Sequence, residues 1–282
     1  MQVFKTLLLR EWMQHRIGWL ALAALPLAGL LLLLLPYGEV TLGNTPSHLV
    51  AVMTLGVFAI GAGAQAWLVV ALQAAGLARR DAQDRSVELW RSLPVGDATA
   101  IAVTLVAHLL LMPLAVTCVS GVTGLLASVL MVVRGYGWQA LDMHYLLSMF
   151  AAGLPRVVLG GVLASLWASA LLLPLMAASA WLKRWGAPAL IGLVGAGGMV
   201  LDKAYDQTWL LDGVRELFFN FAAALVPLVD GFENQAGTEA VPAWFWLDAK
   251  HRLADLGTPL FALAMLLAGV GFYLLLLKRQ RG

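Results

Sequence analysis

Residues 98–133 run for thirty-six positions without one Asp, Glu, Lys or Arg, and residues 49–78 do the same for thirty. A helix of about 20 apolar residues crosses a ~30 Å hydrocarbon core. In that core only helices and closed barrels satisfy their own backbone polar groups. These runs are far longer than the ~10 residues of a membrane strand and lack its alternation, so the class is all-α integral membrane. Composition agrees: 61% of the 282 residues are hydrophobic and 12% charged, against roughly 25% charged in soluble domains. A net charge of +2 gives no basic stripe for nucleic acid. The one cysteine, Cys118, lies in an apolar run, where it forms no intramolecular disulfide and packs as a small hydrophobe.

Six spans are predicted within a single transmembrane domain covering 1–282: 17–36, 49–78, 98–133, 146–182, 186–201 and 257–277. At ~1.5 Å per residue the longer runs exceed the bilayer and must tilt, kink or project. Pro113 and Pro174 are the kink candidates, because each removes a backbone donor inside a run. The first span follows Lys5, Arg10 and Arg16, as a signal peptide's apolar region follows basic residues. Its length from Ile17 to Pro36 and the lack of a small-x-small cleavage pattern make it a retained span.

Orientation follows from the bias of Lys and Arg toward the cytoplasm. With both termini inside, twelve of the eighteen basic residues and five of the sixteen acids face the cytoplasm, while six basic residues and eleven acids face outward. Every short cytoplasmic segment is then basic. The outer segment 202–256 is rich in aromatics, including Trp209, Phe218, Phe219, Trp244 and Trp246, which suits the headgroup level. Within it, Leu210–Val229 reads as an interfacial or re-entrant helix. Asp212, Arg215 and Glu216 argue against a full crossing.

Between the two charge-free runs lies 79–97, with four arginines and four acids in nineteen residues. Asp81 is a good N-cap, and Val87, Trp90 and Leu93 recur at helical spacing to form one apolar stripe. Asp84, Arg85, Glu88 and Arg91 surround it, and Pro94 ends the element. One reading is a short helix lying on headgroups, with Trp90 as anchor. The other is a rigid amphipathic element offered to a soluble partner.

The run Asp84-Arg85-Ser86-Val87-Glu88-Leu89-Trp90-Arg91-Ser92-Leu93-Pro94-Val95 resembles the cytoplasmic loop between the second and third spans of type-2 ABC exporter permeases. There a charged stretch precedes a Ser-Leu-Pro-Val-Ser sequence, whose final serine is Gly96 here. The segment 1–16, with Lys5, Arg10, Glu11, Trp12 and Arg16, resembles the amphipathic entry helix of the same family. The resemblance implies a permease subunit paired with a second, identical or related one. Each subunit docks a cytoplasmic ATPase, two copies in all, through Asp84, Arg85, Val87, Glu88, Trp90, Arg91, Leu93 and Pro94. The implied cargo leaves the cytoplasm and is amphipathic: a lipid-linked molecule, a peptide or a drug-like compound.

The chain itself supplies no motor. A phosphate-binding P-loop needs Gly-Lys-Ser/Thr, and the five lysines follow Phe4, Leu182, Asp202, Ala249 and Leu277. ATP and Mg are therefore expected in the partner, and no catalytic residue or metal site is expected here; the five histidines show no metal-ligand spacing. Polar residues within spans are the remaining handles on a substrate path: Gln65, Gln73, His108 and Arg156. Each has a second reading, as interhelical hydrogen bonding for the glutamines and His108 and as snorkelling for Arg156. Gly61, Gly63, Gly192, Gly195, Gly197 and Gly198 are candidate close-packing positions. An ion-coupled carrier and a non-transporting scaffold are the competing functions. No span holds two carboxylates for an ion relay.

Overall fold

The computed structural model describes residues 2–35, 45–83, 96–226 and 241–281. All regular elements among them are helical. They are α1 (Gln2–Leu34), α2 (Ser47–Gln83), α3 (Asp97–Leu105), a π-helical turn (Val106–Leu111), α4 (Met112–Tyr136), α5 (Met143–Leu182), α6 (Gly186–Tyr205), α7 (Trp209–Leu225), α8 (Val241–Ala254) and α9 (Pro259–Arg281). Among the described residues, five helical stretches are long and apolar enough to cross a membrane: Val3–Leu34, Ser47–Arg80, Asp97–Tyr136, Met143–Tyr205 and Pro259–Arg281. The protein is an all-α multi-pass membrane protein.

The stretch 143–205 joins the fourth and fifth expected spans and breaks between them. Lys183 adopts φ 56°, ψ −131°, and a Cβ on Gly186 would lie 2.2 Å from the carbonyl oxygen of Ala178. Residues eight apart in a continuous helix are ~12 Å apart, so the chain turns sharply here and α6 packs on α5. The expected entry helix 1–16 is not a separate element. It is the first half of α1, which runs unbroken to Leu34.

α5 is the hub, packed against α2, α4, α6, α7, α8 and α9. Its small and apolar residues Leu163, Ala164, Trp167 and Ala168 are buried in the main core with Ala66, Trp67 and Val70 of α2 and Ala264 of α9. α1 lies outside this core, along α3 and α4. α2 and α4 meet along Ser120, Gly124 and Ser128, which recur every fourth residue. Ser120 donates to the Phe58 carbonyl, and Ser128 donates to that of Ala51 at 2.8 Å. A Cβ on Gly124 would stand 2.9 Å from Phe58. Small residues on one face let backbones approach, and hydroxyls then bridge them. The glycines expected to do this mostly do not. Among the described residues, a Cβ on Gly61, Gly63, Gly192, Gly195 or Gly197 would meet nothing within 4 Å, whereas one on Gly198 would meet Leu211 at 2.4 Å.

Pro113 is the second residue after the π-turn and lacks the N–H that would reach the Leu109 carbonyl four residues back. That carbonyl instead accepts from the Ser165 hydroxyl of α5 at 2.7 Å. Pro174 lies inside α5, which is helical on both sides of it.

Candidate functional site

At the end of the bundle where α2 stops and α3 begins, one carboxylate gathers four segments of chain. Glu11 of α1 is fully buried. Its Oε1 accepts from Arg80 Nη2 of α2 at 2.9 Å and from the Thr104 hydroxyl of α3 at 2.9 Å, and Arg10 pairs with the same oxygen. Its Oε2 accepts from Arg80 Nη1 at 2.9 Å. The Arg80 contact is thus bidentate, the geometry in which guanidinium–carboxylate pairing is strongest. His108 Nε2 stands 3.4 Å from Oε2 and His15 Nδ1 3.9 Å.

His108 sits on the π-turn, 1% exposed. Neither ring nitrogen makes a well-aligned hydrogen bond among the described residues. Its ring packs edge-on against His15 at 4.6 Å and Trp19 at 5.3 Å. One ligand atom each from Glu11, His15 and His108 lies within 4.8 Å of the others. This donor set does not suit a divalent cation, because the ion would share its one carboxylate with two guanidiniums already bound to it. The cluster is an ion-pair junction. Asp97, the first residue of α3, makes a second tie at this end, accepting from Arg279 Nε of α9 at 2.9 Å. Trp181 donates from its indole to the Leu274 carbonyl at 3.1 Å, with Lys278 and Arg281 over its ring.

The second charged centre is at the opposite end. Arg156 of α5 is 1% exposed, so the snorkelling expected of it does not occur. Its Nε pairs with Asp248 of α8, while Nη1 and Nη2 donate to the carbonyls of Ala224 at 2.8 Å and Ala223 at 3.2 Å. Those carbonyls belong to the last turn of α7, where acceptors lack intrahelical partners and a cation is favoured. A Cβ on Gly160 would collide with the Ala224 oxygen at 2.2 Å and with Arg156 Nη1 at 2.4 Å. Arg252 approaches Asp248 at 3.5 Å and Asp255 at 3.2 Å. One guanidinium thus joins α5, α7 and α8. Arg134 does the same for α1, donating to the carbonyls of Leu33, Leu34 and Leu35.

No family model, curated protein or solved structure matches this chain.

The expected docking residues Asp84, Arg85, Val87, Glu88, Trp90, Arg91, Leu93 and Pro94 lie outside the described residues. What is described is the two roots of that loop, Arg80 and Asp97. The expected substrate-path residues do not converge. Gln65 is exposed and Gln73 half-buried with its Oε1 unpaired among the described residues, although both lie on α2. His108 and Arg156 belong to the two separate charged centres. Glu11 and Asp248 were not singled out from sequence. Glu11 carried a signal, as the sole acid in the first thirty-eight residues. Asp248 carried none.

Proposed function

We propose that this chain is the membrane-spanning permease subunit of an ATP-driven exporter. It has six spans with both termini in the cytoplasm, and it docks a separately encoded ATPase through residues 84–94. Two permease subunits, identical or related, and two ATPases would form the working unit in a bacterial cytoplasmic membrane, with ATP and Mg bound by the ATPases. The cargo is amphipathic and moves outward.

The observation that carries this reading is the rooting of the loop. Its entry is fixed by Arg80 on the buried Glu11 of α1, and its exit by Asp97 on Arg279 of α9. A loop that transmits force between a motor and a helix bundle needs such anchorage. Without it, displacement would be absorbed as local bending. A loop that merely rested on headgroups would need no ties to the first and last helices. In this scheme Val87, Trp90 and Leu93 enter a groove on the ATPase, with Asp84, Arg85, Glu88 and Arg91 at its rim and Pro94 ending the element.

The test is purification from native membranes in mild detergent, followed by mass spectrometry of the associated chains. A P-loop ATPase is expected at about one copy per permease. Truncating a buried aromatic anchor costs ~2 kcal/mol or more, so Trp90→Ala should weaken docking about thirtyfold and release it. A clean single-chain preparation, even after crosslinking, would overturn the proposal. So would normal export by both Trp90→Ala and Glu88→Arg. An ion-coupled carrier would instead show flux that survives ATP depletion, and a scaffold would show partner binding without flux.

A further inference from the structure

The apolar runs of α5 and α9 end side by side. α9 packs on α5, and the Trp181 indole in the last turn of α5 donates to the Leu274 carbonyl of α9 at 3.1 Å. Each run is followed at once by basic residues: Lys183 and Arg184 at the turn into α6, and Lys278, Arg279 and Arg281 at the end of α9. Two segments far apart in sequence thus deliver their cations to one corner of the molecule. Arg279 is held by Asp97. Among the described residues, Lys183, Arg184, Lys278 and Arg281 have no carboxylate partner. Lys278 and Arg281 instead stand over the Trp181 ring, 5.7 and 5.9 Å from its centroid, and Arg184 stands over Trp185 at 5.8 Å. A ring face attracts a cation without neutralising it. Gathered like charges repel one another, and an anion placed among them removes that cost.

The apolar neighbours of these cations decide what kind of anion fits. Trp181, Leu182 and Trp185 are exposed beside them, just where the apolar runs stop. Aromatic rings and basic side chains interleaved at the end of a span mark the headgroup level of a bilayer. A soluble anion would use the cations alone, whereas a phospholipid uses both sets of groups. Lys183 supplies a second observation. Its φ of 56° and ψ of −131° match the first central position of a type II′ turn, which favours glycine. Glycine would make this turn at a lower cost, so the turn itself does not call for a lysine. The side chain is exposed and adds its charge to the same corner.

We propose that the α5–α6 turn and the end of α9 together form a binding site for an anionic phospholipid. Lys183, Arg184, Lys278 and Arg281 hold the phosphate, and Trp181, Leu182 and Trp185 lie against the glycerol backbone and the tops of the acyl chains. The site depends on the protein being a multi-pass membrane protein and not on its being a permease.

The test is native mass spectrometry of the full-length chain in mild detergent, supplied with equimolar phosphatidylglycerol and phosphatidylcholine. A basic residue near a headgroup is worth about fivefold. With at least two on the phosphate, phosphatidylglycerol should be retained over phosphatidylcholine by about 25-fold or more. Lys278→Gln with Arg281→Gln should lower that ratio at least about fivefold. Adding Lys183→Gln and Arg184→Gln should bring it to about one, with far-UV circular dichroism and elution volume unchanged. Lys203 at the other end of α6 and Lys250 of α8 are also exposed, and replacing both by Gln removes as much charge as the first pair but should leave the ratio unchanged. Lys183→Gly should lower the ratio without lowering the unfolding temperature, an effect that a purely structural lysine would not produce. Excess inorganic phosphate should not displace the bound lipid. No preference for phosphatidylglycerol, an equal loss of preference on replacing Lys203 and Lys250, or displacement by inorganic phosphate would overturn the proposal. A preference that survives in the fourfold variant would also overturn it and leave the corner to an acidic protein partner.

Discussion

At the scale of single residues, the two arginines at the end opposite the charged loop bind backbone and an acid instead of facing lipid or solvent. A buried guanidinium is tolerated only when its donors are matched, and Arg156 has Asp248 and the two carbonyls of α7. Removing one partner strands the other. Arg156→Met and Asp248→Leu should each destabilise by roughly 3–5 kcal/mol, and the double variant by less than either alone. Thermal unfolding of the detergent-solubilised chain measures both. Glycine contrasts give an independent check at the same scale. Gly160→Ala drives a methyl into the Ala224 carbonyl and should cost about 1–3 kcal/mol. Gly61→Ala meets open space and should be neutral, or stabilising by up to ~1 kcal/mol through helix propensity. Equal effects at the two positions would contradict the packing of α7 on α5. Glu11 shows why such sites resist reading from sequence. A lone acid in a basic, apolar segment is visible, but its partners Arg80 and Thr104 stand 69 and 93 residues away, and no local pattern selects them.

At the scale of elements, hydropathy located the membrane helices because a span is a local property, set by twenty consecutive side chains meeting lipid. The turn between the fourth and fifth expected spans was legible for the same reason, since Lys183-Arg184 interrupts the apolar run. The continuity of α1 through residue 16 was not, because a change from amphipathic to apolar sequence alters a helix's surroundings without ending it. Nor was the π-turn. Pro113 marks a disturbance, but the Leu109 carbonyl it leaves without an amide is taken by the hydroxyl of Ser165, 56 residues beyond Leu109. Ser165→Ala should therefore cost about 1 kcal/mol. Pro113→Ala added to it should recover most of that loss, because the new amide at 113 supplies the missing donor. A double variant no more stable than Ser165→Ala would show that the turn does not arise from the proline.

At the scale of the whole molecule, the proposed topology of six spans with both termini in the cytoplasm rests on the arrangement of charge and on the sharp turn at Lys183, and labelling tests it. In a Cys118→Ser background, a cysteine at Gly96 should react only with reagent supplied from the cytoplasm, and one at Gln207 only from outside. If the stretch 143–205 crossed once, Gln207 would be cytoplasmic and the C-terminus external. The rooting of the loop has its own test. On the permease reading proposed above, Arg80→Gln and Arg279→Gln should leave ATPase association intact and lower the flux obtained per ATP, measured in reconstituted vesicles. Unchanged coupling would remove the mechanical role assigned to both ties.

The capping arginines also set an order of events during synthesis. When Arg134 emerges, the carbonyls of α1 that it will bind are already made. Arg156 has no such advantage, because Ala224 and Asp248 follow it by 68 and 92 residues. At about 5–20 residues per second, it waits roughly 5–20 s before its carboxylate exists. During that interval a cation destined for the interior must remain hydrated or held by another protein, and α5 cannot reach its final seat. Nascent chains arrested just before Asp248 should therefore stay sensitive to protease near Arg156, and chains arrested well beyond it should not.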